Sequence, residues 1–197
     1  GGMKMRFLIA AISAASFLVG ATTAQADKRV AFVVGNGAYK HVAALPNPAV
    51  DAKSMARLLR NVGFEVVEGS NLTRDKMTER LLDFGKKAVG ADVALFFYAG
   101  HGIAVNGTNY LIPIDVRLKR DSDVPLEGVS LNAVLAKVDA ATQLGLVILD
   151  ACRNNPFSRS FRSQDRGLAF VQAPHGTLIA YATAPGDVAS DGSGDNG

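Results

Sequence analysis

Val93-Ala-Leu-Phe-Phe-Tyr98, followed at once by Ala99-Gly-His-Gly102, is the stretch that decides the fold. A short run that is apolar at every position, without alternation, reads as a strand covered on both faces, here over residues 92–99. Arg29-Val-Ala-Phe-Val-Val34 upstream has the same pattern, and residues 144–150 and 176–183 downstream repeat it. A further strand is expected at 64–68. Between the strands the period changes to that of a helix. Asn47 and Pro48 read as N-cap and first helical residue, with Met55, Leu58, Leu59 and Val62 as the apolar stripe and Gly63 as the stop. Thr73 caps a second helix whose stripe is Met77, Leu81, Phe84 and Ala88, closed by Gly90, and residues 131–138 form a third. Asn106-Gly107, inside 103–114, predicts a hairpin with a tight primed turn. Residues 153–172 are polar and Arg/Ser-rich, which predicts a long exposed loop. Strands alternating with helices imply right-handed crossovers: an α/β fold, a three-layer sandwich with a mostly parallel twisted sheet and helices on both faces. Functional sites in such sheets form at the carboxyl ends of strands.

The first residues have a different character. Met3 to Arg6 is a short basic start, Phe7 to Gly20 an apolar run, and Ala24-Gln-Ala26 a small-residue cleavage site, which together read as a secretory signal peptide, with Gly1 and Gly2 a cloning remnant. One domain is then expected over 27–197, exported to the periplasm or the medium. No later apolar run approaches the roughly 20 residues of a membrane helix, so no membrane association is expected after signal removal. Removal of Lys4 and Arg6 leaves 19 basic side chains against 18 acidic ones. No Lys/Arg stripe with interleaved aromatics is present, and no nucleic-acid partner is expected. Gly35-Asn-Gly37 lacks the third glycine, the following amphipathic helix and the acidic strand end of a dinucleotide site.

Chemistry concentrates at two strand ends, Tyr98-Ala-Gly-His-Gly102 and Ile148-Leu-Asp-Ala-Cys-Arg153. Cys152 is the chain's one cysteine, so an internal disulfide is excluded. Attack of a thiolate on a carbonyl needs a base that takes the thiol proton and returns it to the leaving amine, and imidazole suits both steps. His101, between two glycines, is the expected base and Cys152 the nucleophile. The backbone N–H groups of Gly102 and Cys152 are expected to form the oxyanion hole. His41 and His175 lack such a context and are expected at the surface.

With these motifs the chain resembles the caspase superfamily, and more closely its bacterial metacaspase-like (orthocaspase-type) members. A caspase signature places its histidine about 50 residues before a Gln-Ala-Cys-Arg-Gly type motif, and here Cys152 follows His101 by 51 residues. The similarity extends through Leu45-Pro-Asn-Pro-Ala-Val-Asp-Ala52, Asn109-Tyr-Leu-Ile-Pro113 and Ala182-Thr-Ala-Pro185. It implies a caspase-like sandwich and a cysteine endopeptidase acting on peptide or protein substrates, with no required cofactor. The position two before the nucleophile is Asp150, where caspases that cut after Asp have Gln. A carboxylate there repels an acidic P1 residue and pairs with Arg or Lys, so basic P1 specificity is expected, helped by Asp191 or Asp187 on the loop after the fifth strand. Arg159, Arg162 and Arg166 are then expected self-processing sites. The resemblance to metacaspases leaves room for calcium activation, but no Asp-rich loop or other metal-ligand spacing is present. The family continues beyond the position of Gly197, so the small-subunit portion is expected to be incomplete. The competing expectation is a catalytically inactive peptide-binding or scaffolding protein on the same fold.

Overall fold

A computed structural model describes residues 27–152 and 167–182. In chain order these form β1 (Arg29–Gly35), α1 (Pro48–Asn61), β2 (Glu65–Ser70), α2 (Arg74–Ala88), β3 (Val93–Val105) and β4 (Thr108–Leu111). There follow a 3-10 turn (Asp121–Asp123), α3 (Val124–Glu127), β5 (Val129–Ser130), α4 (Leu131–Val138), β6 (Leu144–Cys152) and β7 (Thr177–Tyr181). The parallel ladder runs β2-β1-β3-β6-β7. At the far end of β3, β4 pairs antiparallel, and β5 pairs with β4.

The two faces of the sheet are covered differently. On one, α1 packs on Ala31, Val33, Leu95, Phe97 and Ala99. On the other, α2 and α4 bury Phe32, Phe96, Tyr98, Val147 and Leu149 with Phe84, Leu81 and Val134. The fold is therefore the expected α/β sandwich around a mostly parallel sheet.

The α1 stripe is not the expected one. Leu58 and Val62 are more than half or half exposed, and the buried face is Pro48, Ala52, Ala56 and Leu59. The helix lies so close to the sheet that a side chain at Gly35 would collide with the Pro48 carbonyl and the Ala52 methyl. Small residues, not leucines, are what such an approach admits. Nor does Asn47 cap α1 with its side chain: the helix begins at Pro48 through the Asn47 carbonyl, which accepts from Val50 and Asp51 N–H. Thr73 does cap α2, its Oγ1 accepting from Lys76 N–H at 3.4 Å. The hairpin turns at Asn106 and Gly107, both at positive φ (51° and 77°), as a primed turn requires.

Strand β3 does not stop at Ala99 but runs 13 residues to Val105. The weak strand formers Ala-Gly-His-Gly stay extended because β6 pairs with them on one side up to His101 and β4 takes over from Gly102. Part of the expected exposed loop is also buried: Leu168 is 3% exposed and joins the main core.

Candidate active site

Strand β1 ends at Gly35, paired with Ala99, and its chain leaves the sheet as the loop 36–47 while β3 continues. Because the β1-to-β2 crossover goes one way and β3 lies on the other side of β1, the strand order reverses here, at the carboxyl ends where sites form in such sheets. His101 sits at this point, 3% exposed. The β3–β6 register pairs His101 with Cys152 and Ala99 with Asp150. Neighbouring strands lie about 4.8 Å apart, so residues 51 positions apart in sequence become lateral neighbours in the sheet. Alternation along the strands puts positions 99, 101 and 150 on the face that α1 covers.

The His101 ring is fixed from the loop after β1. Its Nε2 lies 2.9 Å from the Ala43 carbonyl oxygen. A carbonyl only accepts, so Nε2 carries the proton and the lone pair resides on Nδ1. The ring also rests against Tyr39, centroid to centroid 4.5 Å. Neither Ala43 nor Tyr39 is among the expected site residues; nothing in a bare Ala43 announces that its carbonyl orients a base.

The His101 peptide is held as firmly as its ring. His101 N–H donates to Tyr39 Oη at 2.8 Å, and Tyr98 Oη donates to the His101 carbonyl at 2.7 Å. Ile112 N–H donates to the same carbonyl at 3.0 Å and lies 3.2 Å from Tyr98 Oη, and Tyr39 Oη donates to the Ile112 carbonyl at 3.2 Å. Each hydroxyl thus gives its one proton and receives another, which closes a buried network. Burial pushes the Tyr98 phenol well above its usual range, and the neighbouring Tyr39 hydroxyl adds to this, so Tyr98 stays a neutral donor. Gly100, at φ 153°, is required between them: a Cβ there would come within 2.7 Å of both hydroxyls.

The loop that supplies Tyr39 and Ala43 is pinned by two asparagines. Asn36 is fully buried; its Nδ2 donates to the Ile112 carbonyl at 3.2 Å and its Oδ1 accepts from Leu72 N–H at 2.9 Å. Asn71, at φ 53°, accepts at Oδ1 from both Gly37 N–H and Ala38 N–H, each 2.9 Å. The amides of the Gly35-Asn-Gly37 segment are thereby engaged within the protein.

With the N–H and C=O of His101 both taken on the side of Tyr39, Tyr98 and β4, alternation turns the Gly102 N–H to the other edge, toward β6. A side chain at Gly102 would displace the tip of Leu168, which would lie 2.8 Å from its Cβ. Leu168 is seated there by Asn109, whose Nδ2 donates to the Ala169 carbonyl (2.8 Å) and whose Oδ1 accepts from Ala169 N–H (2.7 Å). Asp150 is half-buried one pleat before Cys152. Asp187, Asp191, Arg159, Arg162 and Arg166 lie outside the described residues, as does the expected signal peptide. His41 and His175 are exposed, His41 accepting from Arg117 at 3.0 Å. Among the described residues no cluster of His, Cys, Asp or Glu is arranged to hold a metal ion, and no helix is long and apolar enough to cross a membrane.

Residues 28–197 match the family model of the caspase domain of the C14 peptidases. This chain belongs to the caspase-domain family. The caspase domain here is 32% identical over 166 residues to human mucosa-associated lymphoid tissue lymphoma translocation protein 1 and 30% identical over 162 residues to its mouse homolog. Each alignment covers 82% of this chain and 19% of the relative, so the chain spans about a fifth of the curated relatives it matches. Among solved structures, protein GSU0716 from Geobacter sulfurreducens superposes with a TM-score of 0.50 at 18% identity, over 72% of this chain and 60% of that one. That likeness concerns the fold. The domain is metacaspase-like, and the family is one of cysteine peptidases.

Proposed function

We propose that this caspase domain is a cysteine endopeptidase in which Cys152 attacks the scissile carbonyl and His101 serves as general base and then general acid. The observation that supports it most is the register that sets His101 beside Cys152 while the Ala43 carbonyl holds the proton on Nε2. Nδ1 is then the atom that takes the thiol proton. The thiolate sulfur bonds to the carbonyl carbon, and the tetrahedral oxyanion accepts hydrogen bonds from the backbone N–H groups of Gly102 and Cys152. Nδ1–H returns its proton to the leaving amine as the C–N bond breaks, which leaves a thioester on Cys152. Water, deprotonated by Nδ1, hydrolyses the thioester and restores the thiol. Throughout, the Ala43 carbonyl stabilises the imidazolium by accepting from Nε2–H. No cofactor takes part.

Asp150, aided by Asp191 or Asp187, selects Arg or Lys at P1 through a charge-assisted pair. Arg159, Arg162 and Arg166 are the self-processing sites that this specificity implies, and the protein acts after export, in the periplasm or the medium. A panel of fluorogenic peptides differing at P1, assayed on the full-length protein, tests the reading. Arg and Lys substrates should be cut and Asp substrates not, with all cleavage lost in Cys152→Ala. Cleavage after Asp alone would refute the specificity, and cleavage surviving Cys152→Ala would refute the mechanism.

A further inference from the structure

A groove remote from His101 runs along the outer flank of α1, where the helix overhangs β2. It encloses about 840 Å³, with Val50, Lys53, Arg57 and Arg60 of α1 on one wall and Glu68 and Ser70 of β2 on the other. Arg60 is neutralised by Glu68 at 2.8 Å. Lys53 and Arg57 are exposed and, among the described residues, take part in no ion pair. They lie one helical turn apart, about 6 Å.

Beneath them is an open strand edge. Among the described residues β2 pairs with β1 alone, so its outer side presents unpaired N–H and C=O groups. Side chains on one face of an extended peptide repeat about every 6.8 Å, close to the spacing of the two cations. The groove follows α1 from Ala49 to Asn61, about 18 Å at the rise of a helix, the length of about five extended residues. Val50 and Ala49 supply an apolar wall at one end.

We propose that this groove binds an extended acidic peptide segment of a partner protein, which adds a strand to the free edge of β2 and sets carboxylates at alternate positions against Lys53 and Arg57. Backbone pairing supplies affinity and the two cations supply selectivity. A nucleic acid is a poorer fit, since its sugar-phosphate chain cannot supply the alternating N–H and C=O groups that pair with the free edge of β2. The site is separate from the peptidase centre and does not depend on it.

The test is fluorescence polarisation of a labelled Val-Glu-Val-Glu-Val peptide with the full chain in its Cys152→Ala form, which removes the proposed nucleophile. Binding should weaken at least tenfold in Lys53→Glu/Arg57→Glu, weaken at high salt, and be lost when alternate peptide amides are N-methylated. A thermal melt like the parent's will show that the double variant is folded. No binding by the parent, binding unchanged in the double variant, indifference to N-methylation, or equal displacement by inorganic phosphate or by oligothymidylate would each overturn the proposal.

Discussion

Strand β3 is held in two ways along its length. In its first half Phe96 packs against Phe32 (5.4 Å between centroids) and Tyr98 (6.5 Å), and Phe32 against Phe84 (6.0 Å), an aromatic stack in which the Tyr98 hydroxyl alone reaches into the hydrogen-bonded half. At Gly100 to Gly102 hydroxyls and carbonyls grip the His101 peptide and ring, before Ile103 and Val105 return the strand to apolar packing. Packing is tolerant of direction, because dispersion and apolar burial depend on contact and area. Hydrogen bonds are directional and fix the plane of a peptide and the tautomer of a ring. The first half therefore decides whether β3 is in place, and the second which way its histidine faces. Substitutions should divide accordingly into those that reduce stability and those that reduce turnover.

The largest expected effect is at the base itself. His101→Ala should lower kcat/KM on an Arg-P1 peptide by about 10²- to 10⁴-fold, far beyond its cost in urea unfolding, which should be smaller than that of Phe96→Ala; a small rate loss would erase the functional half of the contrast. Phe96→Ala should behave in the opposite way. It should cost about 3–5 kcal/mol in urea unfolding, with turnover per folded molecule retained, and an equal loss in both quantities would show that the two halves are not separable.

Smaller changes sharpen the division. Tyr39→Phe leaves His101 N–H without its acceptor, and kcat is expected to fall about tenfold with KM unchanged, while stability drops by about 1–3 kcal/mol. Stopped-flow or steady-state kinetics beside a urea curve will show whether orientation or stability dominates. The smallest effect is on pH dependence. The unfolded Tyr98 phenol ionises near pH 10, whereas the folded one keeps its proton well above that. Its contribution to stability is thus complete below about pH 10 and declines as pH rises above it. Tyr98→Phe should flatten that alkaline decline, and identical slopes in the two proteins would contradict the placement of the phenol.

The sequence made the dry half of the molecule legible and most of the wet half illegible. Runs such as 30–34 and 93–98 announce strands because burial on both faces demands apolar side chains at every position. The α1 stripe misled because leucine outweighs alanine in any hydrophobicity count, while the close approach at Gly35 calls for Ala52 and Ala56. Strands as short as β5 and helices as short as α3 leave too few residues for a period to show. His101 and Cys152 were accessible as residue types beside glycines and at a strand end. Ala43 was not, since its role belongs to a main-chain carbonyl brought close by Asn36 and Asn71 acting across the fold. Tyr39 and Tyr98 act through hydroxyls on aromatic side chains that the hydrophobic pattern counts as core.

The most direct measurement is the rate at which iodoacetamide alkylates Cys152 at neutral pH, followed by mass spectrometry in the parent protein and in His101→Ala. If the imidazole draws the proton from the sulfur, the variant should react about tenfold or more slowly. Equal rates in the two proteins would contradict the pairing of His101 with Cys152 on which the account rests.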